Sequence, residues 1–379
     1  MTSADITALL KPFDDGSRHL RNRIVMAPMT RRFSPGGVPG PDVAAYYARR
    51  PSSVGLIITE GVLIDHPSAG SDPDVPHVYG DRALAGWRQV TDAVHEAGGR
   101  IAAQLWHVGL ARDPEGPLYP GYPALSPSGI DGAGRPAGTA ATSEQLAGIR
   151  DAYARSAAAA RDAGFDGVEV HGAHGYFLDL FLWEATNRRD DEFGGSLEAR
   201  VRYPASVVAA VRDAVGPDFP IIFRFSQWKN GFWDAQIART PEELGRILGL
   251  LAQAGVDAFH PSTRRFWLPG FEGSDITLAG WTRRLSGLPT IAVGGVGVPP
   301  RPEDPGTVLP ENVPPTERVA DAAAAIGAGE FDLMAVGRAL LTDPDWVTEL
   351  QEDRIGEMTA YRKPDEDLLD GAARGGVTG

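Results

Sequence analysis

His171 and His174 stand three residues apart in VEVHGAHGYFLDLF (168–181), with Tyr176 two further on. Two imidazoles and a phenol at this spacing admit three readings: metal ligands, polar groups aimed at a substrate, or ordinary residues at the end of a strand. A zinc site would need a third ligand, for which Glu169, Asp179 and His107 are the nearby candidates. Glu169, however, alternates with the inward residues of its strand, and no such set accounts for the other polar residues described below. The choice depends on where the fold places this stretch.

The chain has 379 residues, 42% hydrophobic and 23% charged, enough for a large core. A net charge of −14 argues against nucleic acid as a partner, since phosphate binding needs a basic surface. The absence of cysteine excludes disulfides, thiolate nucleophiles, iron–sulfur clusters and Cys-ligated zinc. MTSADITALLKPFDDGS lacks the basic and apolar regions of a leader. No apolar run reaches the ~18 residues of a membrane span. A cytoplasmic protein without a membrane partner is expected; a homo-oligomer is left open.

Eight short apolar runs read as strands: RIVMAPM (23–29), GLIITEG (55–61), RIAAQLW (100–106), GVEVH (167–171), IIFRFS (221–226), AFHPS (258–262), TIAVGG (290–295) and LMAVGR (333–338). They are mostly too apolar to alternate, as parallel strands buried on both faces should be. Helical patterns lie between them, in DVAAYYARR, DRALAGWRQVTDAVHEAG, TSEQLAGIRDAYARSAAAARDAG, SLEARVRYPASVVAAVRDAVG and TPEELGRILGLLAQAG. Capping residues open some and glycines close several. Eight strands with crossovers predict an α/β fold, a single (β/α)8 TIM barrel over 1–379, with 1–20 as a cap segment and 352–379 as a tail. The Pro-rich stretch 299–315 reads as a loop after strand seven.

Active sites of such barrels collect at the C-terminal strand ends. Those ends carry Pro28, Met29 and Thr30; Glu60 and Gly61; Gln104 and Trp106; His171, His174 and Tyr176; Arg224; Gly294 and Gly295; and Gly337 and Arg338. Polar groups that would be costly in a core thus converge on one mouth. The loops after strands seven and eight form the usual phosphate site of these barrels. There glycine allows close backbone approach and an arginine adds a charge-assisted contact.

NRIVMAPMTR (22–31), AAQLWHVG (102–109), GFDGVEVHGAHGYFLDLFL (164–182) and TNRRDDEFGGSLEAR (186–200) resemble the old yellow enzyme family of FMN-dependent ene-reductases. The likeness runs through nearly the whole chain and is most specific from Val168 to Arg200. It implies noncovalent FMN, with phosphate on Gly294, Gly295, Val296, Gly337 and Arg338. Gln104 and Arg224 would face the pyrimidine edge, while Pro28, Met29, Thr30 and Gly61 would line the ring. His171 and His174 would donate to a carbonyl or nitro oxygen, His171 also touching the cofactor, and Tyr176 would protonate the α-carbon. Trp106, Trp228, Phe266 and Trp267 are candidate pocket walls, and His107 a supporting residue. The implied reaction takes hydride from NADH or NADPH and reduces a small activated alkene, an α,β-unsaturated carbonyl or nitro compound. The alternatives are a flavin oxidase or desaturase on the same fold, and a metal-dependent barrel hydrolase using His171 and His174.

Overall fold

The computed structural model describes residues 6–15, 19–50, 53–300, 313–370 and 372–373. Its centre is eight parallel strands: β1 (Ile24–Met26), β2 (Leu56–Leu63), β3 (Ile101–Trp106), β4 (Gly167–His174), β5 (Ile221–Lys229), β6 (Ala258–Pro261), β7 (Ile291–Val293) and β8 (Leu333–Val336). They are ordered β6-β5-β4-β3-β2-β1-β8-β7. Bridges from Phe259 to Thr290 and from Ser262 to Val293 join the two ends and close the barrel. All eight predicted strands are present. Of the segment read as a loop over 299–315, residues 301–312 lie outside the described residues.

Strand alternation sorts the core into two regions. Val25, Ala27, Ile58, Ile222, Ala258, Ile291, Leu333 and Ala335 fill the barrel interior. Phe13 and Leu20, paired across a short antiparallel hairpin, pack on the same cluster and plug one end. Alternate residues such as Val168, Val170, Phe223 and Phe259 face the helical layer. Both faces of each strand are therefore buried, which is why the strand sequences carry so little polar alternation.

The five predicted helices are α1 (Pro41–Ala48), α2 (Asp81–Glu96), α3 (Ser143–Asp162), α4 (Leu197–Val215) and α5 (Pro241–Gln253). Thr142 and Gln145 form a reciprocal capping box on α3, and Thr240 caps α5 by accepting from the Glu243 amide. Two further crossover helices, α6 (Leu278–Ser286) and α7 (Val319–Gly327), were not among the predicted patterns. Both are short. The α7 sequence VADAAAAIG is apolar at nearly every position, and it buries Val319, Ala322, Ala323 and Ile326. Among the described residues, no helix is long and apolar enough to cross a membrane.

Candidate functional site

The end of β4 leaves regular geometry where the chemistry-bearing residues begin. His174 adopts φ 65°, a left-handed backbone that a non-glycine residue takes at a cost of ~1–3 kcal/mol. Two contacts hold it there: its amide donates to Ser226 Oγ at 2.9 Å, and the next amide, Gly175, donates to Asp179 Oδ2 at 2.7 Å. Asp179 lies in the short helix Phe177–Leu182 and pairs with Lys229 Nζ at 2.9 Å, both fully buried. The turn is thus pinned to the end of β5.

This turn brings the three residues together. His171 meets His174 edge to face, ring centroids 5.2 Å apart, and Tyr176 at 5.0 Å. Trp106 meets Tyr176 at 5.0 Å, and Trp228 stacks on His174 at 4.5 Å. His171 Nδ1 accepts from the Ala173 amide, so Nε2 carries the donor proton. His174 Nε2 lies 2.8 Å from Ser262 Oγ, which also accepts from Arg224 Nη2 at 3.2 Å. When the serine hydroxyl donates to His174 Nε2, Nδ1–H is left as the second imidazole donor. Among the described residues, no group of three or more His, Cys, Asp or Glu side chains is placed to share a metal ion.

Burial holds both imidazoles neutral: His171 falls to about 3, assisted by the Arg224 charge, and His174 falls well below its usual value. Burial likewise raises the Tyr176 phenol, while a hydrogen bond from Asn230 and the charges of Arg32 and Arg224 pull it partly back. The phenol therefore keeps its proton at neutral pH. His107 and His260 are lowered by burial too. An unfolded chain would protonate these rings below about pH 6.5, whereas the folded chain resists. Stability should fall as pH drops below about 6.5 towards the low folded values. Asp179, raised by burial to about 6, has the opposite sign over a narrower window and offsets only part. The thermal midpoint is expected to drop between pH 7.5 and 5.5; an unchanged midpoint would mean that the rings are not held neutral.

A cavity of about 310 Å³ opens at this end of the barrel. His174, Tyr176 and Arg224 reach it from one side, Pro28 and Met29 from β1, and Gly294, Gly295, Val296, Gly337 and Arg338 from the last two strands. Trp228 lines it as well, so eleven of the residues named from sequence share one space. The others do not line it. Thr30 is exposed just beyond Met29. Gly61 makes room for Trp106, since a Cβ there would lie 2.5 Å from the indole. Trp106 and His171 each pack edge to face against Tyr176, ring centroids 5.0 Å away. Phe266 is 3% exposed and packs against Phe331 and Trp267, and Trp267 carries Arg318 on its face. These two side chains therefore buttress the β7 loop from behind, because their faces are already covered. A Cβ on Gly295, whose φ is 85°, would strike Trp267 at 2.6 Å.

The supporting contacts of Glu60 and Glu169 went unread in the sequence. Glu60 Oε2 accepts from the Arg31 and Arg32 amides and anchors the loop after β1. Glu169 does not face away from the site; it is buried inside the barrel against Gln104 and His260. It shares a strand face with His171, as any i, i+2 pair does. His107 bonds Ser68 at 2.7 Å and stacks on Phe177 at 4.3 Å, a supporting position.

The mouth suits a flavin phosphate and a flat polar ring. Arg224 is buried, yet among the described residues its Nε and Nη1 have no hydrogen-bond partner. Gln104 donates one amide hydrogen to Glu169, leaving its carbonyl and second hydrogen for a ligand. Fold and mouth together define a (β/α)8 barrel of the flavin-binding class. The sequence pattern of the NADH:flavin oxidoreductase / NADH oxidase family matches residues 8–297. The chain belongs to that family, the old yellow enzymes.

An NADH oxidase of Thermoanaerobacter brockii is 33% identical over 356 residues, covering 90% of this chain and 50% of its own. The 12-oxophytodienoate reductase 7 of Oryza sativa subsp. japonica is 41% identical over 223 residues, 55% of this chain and 56% of its own. The chain thus spans about half the length of these curated relatives. Morphinone reductase, solved in complex with tetrahydroNAD, superposes with a TM-score of 0.77 at 29% identity, covering 94% of this chain and 93% of that one.

Proposed function

We infer that the protein reduces the activated C=C bond of α,β-unsaturated carbonyl or nitro compounds at the expense of NADH or NADPH, as a cytoplasmic enzyme working within one barrel. The observation that carries this reading is the convergence of His174, Tyr176 and Arg224 with the β7 and β8 glycine loops on one cavity. Noncovalent FMN, when bound, supplies the hydride chemistry between nicotinamide and alkene. Gly294, Gly295, Val296, Gly337 and Arg338 would hold its phosphate, Gln104 and Arg224 its pyrimidine edge, and Pro28, Met29, Thr30 and Gly61 the surroundings of the ring. His171 and His174, kept neutral, donate N–H groups to the substrate oxygen and draw electron density from the alkene. Tyr176, kept protonated, delivers the proton to the α-carbon.

Anaerobic turnover decides the reading. NAD(P)H and cyclohexenone should be consumed together, with cyclohexanone formed in equal amount. Consumption of NADH only when oxygen is present, with the enone untouched, would favour an oxidase, the activity named for the Thermoanaerobacter relative. Two variants test the assignments. Replacing both His171 and His174 with Ala should abolish the long-wavelength charge-transfer band given by phenolic ligands while FMN stays bound; a surviving band would remove them from the oxygen site. Arg338→Ala should weaken FMN binding by ~10-fold or more, since one charge-assisted hydrogen bond is worth ~1.5–3 kcal/mol. Equal FMN affinity by fluorescence titration would refute the phosphate assignment.

A further inference from the structure

Beneath the cavity, four neighbouring strands each contribute one buried polar side chain to a single cluster: Gln104 from β3, Glu169 from β4, Arg224 from β5 and His260 from β6. Glu169 is its hub. Oε1 accepts from Gln104 Nε2 at 2.7 Å and lies 3.8 Å from Arg224 Nη1, and Oε2 lies 2.6 Å from His260 Nδ1. Burial alone would push this carboxyl up, yet His260, Arg224 and Gln104 together hold it below its usual value, so it is an anion.

A buried carboxylate is tolerated only with good partners, and a purely structural cluster would satisfy every member. This one does not. Among the described residues, Arg224 Nε and Nη1 and His260 Nε2 are buried without a hydrogen bond, and Arg224 reaches the cavity. The cluster is therefore incomplete, and at Arg224 the gap meets the cavity. Its two members that face outward in the functional reading, Gln104 and Arg224, are those assigned to the pyrimidine edge. Both are tied to the same carboxylate.

We propose that Glu169 is a positioning residue that fixes the Gln104 amide, partly neutralises Arg224 and so sets the reduction potential of bound FMN, with His260 keeping it ionised. The proposal rests on the FMN reading above. Through Gln104 its oxygen fixes which amide group faces the ligand. Through Arg224 its charge lowers the net positive field at the pyrimidine edge, where added electrons would otherwise be favoured more strongly. The Arg224–Ser262–His174 chain extends the same support to the second imidazole.

The test is the midpoint potential of FMN bound to the protein, read by equilibration with reference dyes. Glu169→Gln keeps the shape and removes the charge. Arg224 then lacks its counter-ion, and the potential should move positive by at least ~10-fold in the oxidised-to-reduced equilibrium, about 30 mV for a two-electron couple. Should Glu169→Gln not fold, His260→Leu carries the same test. Without the Nδ1–H donor the buried carboxylate takes up a proton, so the potential should move in the same direction. His260→Gln, which keeps an N–H donor, should bring it back towards the parent value. An unchanged potential in Glu169→Gln or His260→Leu, with FMN still bound, would overturn the proposal and leave Glu169 a structural ion. A parent protein that binds no FMN would sink the functional reading first, so the two failures are told apart before any variant is made.

Discussion

Replacement of Tyr176 by Phe is expected to slow the reduction of cyclohexenone by ~10²–10⁴-fold, the usual contribution of a general acid, while the NAD(P)H half-reaction keeps close to the parent rate. The phenol sits where both imidazoles do, 5.0 Å from His171 and 6.4 Å from His174 between ring centroids. Its edge-to-face contact with Trp106 holds the ring in place, and burial keeps it protonated. Phe preserves that packing and removes only the hydroxyl, so binding should change little. Nitro-olefins, whose nitronate products can leave the site and be protonated in water, should be slowed less than the enone. Rapid mixing separates the two half-reactions. If the enone step is as fast in Tyr176→Phe as in the parent, water or another side chain delivers the proton.

The second large effect is on stability. Lys229→Met should lower the unfolding free energy by ~3–5 kcal/mol, because removing one partner of a buried ion pair strands the other. Lys229 is 1% exposed and Asp179 0%. Lys229 Nζ also donates to the Ser226 carbonyl at 2.7 Å, while Asp179 takes the Gly175 amide. Losing the ammonium therefore leaves a buried carboxyl that burial already pushes to about 6, and it should take up a proton on folding. Lys229→Met combined with Asp179→Leu should recover much of the lost stability, since an apolar pair needs no charge compensation. Turnover should not recover with it, because Gly175 loses its acceptor and the turn carrying His174 and Tyr176 loosens. Urea unfolding at pH 7 measures the first part. A loss below ~1 kcal/mol for Lys229→Met would show the pair to be hydrated, and the argument for a pinned turn would fail.

The barrel was legible because its signals are local. Each strand is a short β-branched run, and α3 and α5 open with side chains that cap their own first turn. The mouth was legible because a parallel barrel puts every strand's C-terminal end on one side, so a linear list of end residues becomes a site. What escaped were contacts between residues remote in sequence. Glu169 and His260 are 91 positions apart, and neither position alone says that the two will meet. Asp179 lies in an apolar run and Lys229 at a mixed strand end, neither with a partner in view. Phe266 and Trp267 look from the sequence like pocket walls, yet an aromatic in a loop carries no period from which to tell its two faces apart. The helices α6 and α7 escaped for a different reason: each spans only 9 residues, too short a stretch for its period to stand out.

The central claim is that this mouth binds FMN, and the visible absorption spectrum of the purified protein tests it most directly. The account predicts a yellow protein with the two visible bands of oxidised flavin, which loses its colour to the supernatant on denaturation and releases FMN in an amount equal to the protein chains. A protein that stays colourless, and emerges colourless from gel filtration after incubation with excess FMN, would contradict it.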